Sequence, residues 1–207
     1  RRHTRFRNVT GVQTCALPIY VPNAKKQLTL CFQTNGTMPI AKEHYKIIEK
    51  FHLVKLHISL DATNEQFGYM SWPADWQQVT ENILELKQNL PSNVMFIIEE
   101  TISVFNWAYM DRLEAWIKEN FTTNREGDVT VHTRHMATGI FALDNCSQEY
   151  VDAMQLTEYA NLIPGNWREN PNSIQAMLAE MQKYDRIRDE SFQQTFPLLD
   201  KYYARFL

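Results

Sequence analysis

Apolar and polar residues alternate strictly through VKLHISLDA, residues 54 to 62. Val54, Leu56, Ile58 and Leu60 share one side and Lys55, His57, Ser59 and Asp61 the other, as expected of a strand with one face in a core. Residues 28 to 37, LTLCFQTNGT, repeat the theme and end with Gln33 and Asn35 on alternate positions. In VMFIIEETIS, residues 94 to 103, the polar row is Glu99, Thr101 and Ser103. Three strands are therefore predicted to finish in hydrogen-bonding groups on one common side.

Between these strands the period changes to that of a helix. After a strand over about Gln27 to Thr34, Pro39 can open a helix with Ile40, Ile47, Ile48 and Phe51 as its stripe. Thr63 to Trp72 reads as a polar loop. A helix opened by Pro73 follows, carrying Trp76, Val79, Ile83, Leu86 and Leu90, and Pro91 stops it. Met110, Leu113, Trp116, Ile117 and Phe121 mark another helix ending before NREGD, and Asp128 to Thr133 reads as a short fourth strand. Parallel neighbours need long return connections, so this alternation predicts an α/β fold with a parallel sheet or barrel and helices outside.

Beyond His135 the pattern becomes that of a mostly helical tail, residues 136–207. MATGIFALDN is irregular or extended, Ser147 can cap a helix over about Gln148 to Asn161, and Pro164, Gly165 and Pro171 punctuate a break. Ile174, Met177, Leu178, Met181, Ile187 and Phe192 then form a long stripe, read as helix packing rather than a ligand box. There is no internal repeat and no low-complexity segment.

Composition narrows the function classes. With 207 residues, 44% of them hydrophobic, the chain is long enough to build a core. A formal net charge of -3 without a basic run argues against a general nucleic-acid or membrane-surface binder. No apolar run approaches the roughly 18 residues of a membrane span. Three widely spaced cysteines make no disulfide framework, so a reducing, cytoplasmic setting is expected.

The first nineteen residues stand apart. Arg1 to Arg7 is basic, and VTGVQTCALPI, Val9 to Ile19, matches the in-frame translation of a common sequencing-library adapter. Residues 1–19 are therefore expected to be adapter-derived, which removes Asn8 and Cys15 from any chemistry; a disordered natural arm is the alternative.

In parallel α/β folds chemistry sits at the carboxyl ends of strands. Gln33, Asn35, His57, Ser59, Asp61, Glu99, Thr101 and Ser103 are expected to line one cavity there, joined by Thr130, His132 and Arg134. Ser59 and Asp61 suit ribose hydroxyls, Thr101 and Ser103 suit polar edges, and His132 or Arg134 suits a carboxylate. Plainer roles stand beside these: Asp61 and Thr63 as caps or turn residues, and Asn35-Gly36 as a turn pair.

The ordered strings FQTNGT, VKLHISLDA, FGYMSWPADWQQVTENILEL and FIIEETISVFN resemble the middle and later strands of a radical S-adenosylmethionine (radical SAM) enzyme, most closely the twitch-domain type. The resemblance runs from about Lys26 to Arg134 and implies that residues 20–135 are the later part of a partial (β/α) barrel. It implies that Thr34 and Asn35 border the cofactor cavity, that Ser59 and Asp61 lie near the ribose, and that Thr101 and Asn106 help hold S-adenosylmethionine. Asn106 by itself reads more readily as a helix cap. The family's tyrosine, basic residue, proline and tryptophan match Tyr69, Pro73 and Trp76, but Ser71-Trp72 replaces the basic residue.

The family's [4Fe-4S] cluster is held by three cysteines at C-x-x-x-C-x-x-C spacing, and this chain has no such triad. Cys31 and Cys146 are isolated, Cys31 being expected to face the barrel or helix layer as a small apolar residue. The expectation is thus a radical SAM core without its cluster strand, inactive as written, with no catalytic or metal-ligating residue assigned. The resemblance also implies an electron donor such as flavodoxin or ferredoxin and a substrate that in such proteins is often a peptide or protein. Two other classes compete: an iron-independent hydrolase or lyase with Glu99 or Asp61 as general base, and a noncatalytic module docking through the tail after Pro171, where Tyr202, Tyr203 and Phe206 cluster.

Overall fold

A computed structural model describes residues 28–121 and 130–207. The adapter-like segment, the start of the first predicted strand at Gln27, the NREGD turn and the predicted start of the fourth strand at Asp128 lie outside the described residues.

Four parallel strands form one sheet in sequential order: β1 Thr29–Thr34, β2 Leu53–Ser59, β3 Val94–Ile102 and β4 Thr130–Met136. The crossovers carry α1 Tyr45–Ile48, α2 Asn64–Met70, α3 Trp76–Asn89 and α4 Met110–Phe121. The tail holds α5 Gln148–Met154, α6 Pro171–Arg188, α7 Phe192–Thr195 and α8 Pro197–Tyr203. The α/β alternation read from the sequence is therefore present. No helix among the described residues is long and apolar enough to cross a membrane.

The apolar row of β2 does what its pattern required. Val54, Leu56, Ile58 and Leu60 are buried against Val79, Ile83 and Leu86 of α3 and Leu113 of α4. Each such side chain contributes ~1.5–3 kcal/mol of transfer free energy. Asp75, not Pro73, begins α3: its Oδ1 accepts the Gln78 amide at 2.7 Å. At the end of β1, Gly36 has φ +73, and a Cβ there would stand 2.9 Å from Val79 Cγ1 and 3.2 Å from Ile83. Only glycine meets both the left-handed backbone and the close approach of α3.

Two expectations about this half are corrected. Pro39 opens no helix; a 3-10 turn at Lys42–His44 leads into the single turn of α1, and Ile47 is exposed. Thr63 to Trp72 is not a loop. It contains α2, whose Phe67 and Tyr69 are buried, one against each core, so two apolar anchors among polar neighbours suffice to fold the segment down.

The tail builds a second core on the segment after β3. Ile102, Val104, Phe105, Trp107 and Tyr109 pack with Tyr150, Ile174, Met177, Met181, Phe192, Phe196 and Tyr203. Ser147 caps α5 as expected, accepting from Tyr150 N at 3.2 Å, but the helix ends at Met154 rather than near Asn161. The stripe of α6 is buried at Ile174, Met177, Leu178 and Met181, whereas Ile187 is exposed. Asp189 turns left-handed at the helix end and redirects the chain, and Phe192 is buried from a new element, α7. Residues 136–145 leave β4 through two 3-10 turns, Gly139–Phe141 and Leu143–Asn145.

Candidate functional site

The face of the sheet away from α3 and α4 carries the polar row. Register sets Gln33 beside His57 and Ser59 beside Glu99. It also sets Glu99 beside Thr133 and Thr101 beside His135. Glu99 bridges two other strands: its Oε2 accepts from Gln33 Nε2 at 2.9 Å, and its Oε1 lies 2.7 Å from His57 Nδ1. The side chains of His57 and Glu99 are 27% and 21% exposed, so the pair is partly desolvated yet reachable from solvent.

At the carboxyl edge of this face three predicted residues meet. Asp61 Oδ1 accepts the Thr101 amide at 2.7 Å, and the Thr101 hydroxyl also bonds to this carboxylate. Asn106, fully buried, donates from Nδ2 to the carbonyls of Asp61 at 2.6 Å and Thr101 at 3.0 Å. Its Oδ1 accepts from the amide and hydroxyl of Ser103. Burial pushes the Asp61 carboxyl above its ordinary range, the Thr101 amide partly offsets this, and the charge of Glu100 adds to it. Asn106 thus replaces the backbone ladder where β2 and β3 end, and its side chain is spent on protein groups.

The other two predicted ligands belong to the turn after β1. Thr34 Oγ1 accepts from Gly36 N at 3.1 Å, and Asn35 Oδ1 accepts from the amide and hydroxyl of Thr37 at 3.2 and 2.7 Å. Thr34 pairs in register with Ile58, so it lies on the helix face and not in the polar row. Ser59 is different: among the described residues nothing hydrogen-bonds its hydroxyl, and it lies half-buried at the end of β2, two residues after His57 and two before Asp61.

The reading of His132 and Arg134 as cavity residues is corrected. They pair with Ile98 and Glu100, so they belong to the helix face, and Thr133 and His135 take the polar face of β4. Thr130 pairs in register with Phe96. What His132 and Arg134 contact was missed in the sequence. Glu100, wholly buried, accepts from Arg134 Nε at 3.3 Å and lies 3.1 Å from His132 Nε2. The signal was available: the apolar row Val94, Phe96, Ile98, Ile102 puts position 100 on the buried side, where a carboxylate must find cations. Arg134, His132 and Tyr159 also border an open groove of about 500 Å³ beside α4.

Cys31 is corrected too. Of the two faces expected for it, the barrel side or the helix layer, it does not take the helix layer: it pairs in register with Lys55 on the polar face, and it is exposed rather than packed as a small apolar residue. Cys146 is buried in the tail core, and burial pushes its thiol well above the usual range. Tyr69 donates to Asp185 Oδ1 at 2.8 Å, while Arg188 places its guanidinium over the rings of Tyr69 and Trp72. A cation thus stands at the segment whose sequence lacks one.

No protein-family model, no curated protein and no solved structure matches the chain.

Proposed function

We propose that the described sheet is part of the (β/α) barrel of a radical SAM enzyme and that its polar face takes the nucleoside end of S-adenosylmethionine. The observation that carries this reading is the brace of Asp61, Thr101 and Asn106. It holds the ends of β2 and β3 together directly beside the unpartnered Ser59 hydroxyl, at the edge where the resemblance puts the ribose. In this reading Ser59 contacts the nucleoside, and Asp61, Thr101 and Asn106 shape the rim.

The described residues do not fit the [4Fe-4S] cluster. Cys31 lies exposed on β1 and Cys146 lies buried under α5 and α8, and among the described residues no group of three His, Cys, Asp or Glu is placed to hold a metal. What this chain's own residues supply is the binding face.

The test is a titration of the chain with S-adenosylmethionine and S-adenosylhomocysteine, followed by amide NMR. Saturable shifts at Ser59, Asp61 and Thr101 are expected, weakened about tenfold by Ser59→Ala. Shifts absent from these positions at millimolar ligand would overturn the reading.

A second reading, an iron-independent hydrolase or lyase, is favoured by the contact of Glu99 with His57, an acid–base arrangement that needs no cofactor. It predicts turnover that iron chelation leaves unchanged.

A further inference from the structure

Both carboxylate oxygens of Glu99 are occupied, one by Gln33 Nε2 and one by His57 Nδ1, and Asp61 is held by Thr101. Both oxygens of Glu99 and Oδ1 of Asp61 thus already accept hydrogen bonds from protein groups. The group that is free is the other nitrogen of His57. Among the described residues Nε2 has no partner, and the ring is partly exposed on the same face as Ser59.

We propose that His57 is the proton-transfer residue of this face and that Glu99 is its positioning residue. The carboxylate accepts the Nδ1 proton, which fixes the ring plane and leaves a lone pair on Nε2 directed away from Glu99. Gln33, donating from β1, keeps the carboxylate from rotating off the ring. Three adjacent strands therefore determine one lone pair, a stricter arrangement than a surface ion pair between flexible side chains requires. The substrate class this suits carries a hydroxyl group. The hydroxyl gives its proton to Nε2, the O–H electron pair stays on oxygen, and the imidazolium formed stands against the Glu99 charge; the return transfer restores the neutral ring. Ser59, two residues on along β2, is placed to hydrogen-bond the same ligand. The inference rests on the proposed reading only in placing a ligand on this face.

The experiment reads the tautomer directly, by long-range ¹H–¹⁵N NMR of the histidines in the full chain near neutral pH. His57 is expected as the Nδ1–H form, whereas Glu99→Ala shifts it toward the Nε2–H form that free imidazole side chains prefer. Gln33→Ala, a milder change, is expected to give a mixture. Carbethoxylation by diethyl pyrocarbonate, mapped by peptide mass spectrometry with the exposed His135 as internal reference, should slow at His57 on the order of tenfold in Glu99→Ala. His57 found as Nε2–H in the unaltered chain, or a tautomer and reactivity indifferent to Glu99, overturns the proposal. A failed S-adenosylmethionine titration with the expected tautomer intact would sink the cofactor reading alone.

Discussion

Asn106 Nδ2 donates to the carbonyl oxygen of Asp61 at 2.6 Å, although the two residues lie 45 positions apart. With its second donation to Thr101 O, this one amide closes the frayed ends of two parallel strands. A buried brace differs from a ligand-binding side chain in a measurable way, because its removal leaves carbonyls without partners inside the protein.

Asn106→Ala is therefore expected to lower stability by about 2–4 kcal/mol in urea unfolding. Asn106→Asp should also destabilise, since it replaces the donor with a second acceptor facing two carbonyls. A side chain kept only for a ligand would leave the unfolding midpoint of either variant unchanged.

Burial holds the Asp61 carboxyl above its ordinary value of 3.8. The folded state therefore binds its proton more tightly than the unfolded state does, and the Asp61 contribution to stability is greatest below that value and lost as pH rises through the folded one. Asp61→Asn keeps an oxygen for the Thr101 amide and removes the charge. Melting temperatures across the range from about pH 4 to pH 7 should show the variant gaining on the parent as pH rises. A gap that stays constant with pH would refute the assignment.

Tyr150 and Tyr203 sit in the tail core with their phenols pushed well above the usual range by burial, and the Cys146 thiol between them is pushed up as well. These groups stay protonated in the fold, so their contribution is intact below the unfolded-state values and is lost at higher pH. Unfolding is expected above about pH 10, with tyrosine ionisation and loss of helix signal appearing together. Stepwise ionisation in a protein that keeps its helix signal would contradict the burial. Tyr150→Phe, which removes the donor to Val104 O and the acceptor for Ala108 N, should cost about 1–3 kcal/mol.

Gly36→Ala tests the turn after β1. The methyl group would meet Val79 Cγ1 at 2.9 Å on a backbone with φ +73. Strain and contact together are expected to destabilise by about 1–3 kcal/mol, and to disturb Asn82, whose amide donates to Gly36 O at 2.9 Å. A melting temperature equal to that of the parent would show that α3 yields freely at this point.

The sequence by itself determined the strands and which side of each is apolar, because alternation in VKLHISLDA admits only one way of burying Val54, Leu56, Ile58 and Leu60. It also placed Gln33, His57, Glu99 and Thr101 in one polar row, for the same reason. Parity failed on β4, where no clean alternation marks the buried side of VHTRH; pairing with Ile98 and Glu100 decided that His132 and Arg134 face the helices. The α2 helix was illegible because Phe67 and Tyr69 are anchored by α3 and by the tail, far along the chain. The roles within the row were settled only in three dimensions. Hydrogen bonding is directional and saturable, so whether Asn106 serves a ligand or a neighbour, and whether Glu99 or His57 has a free lone pair, depends on which groups folding brings within about 3 Å.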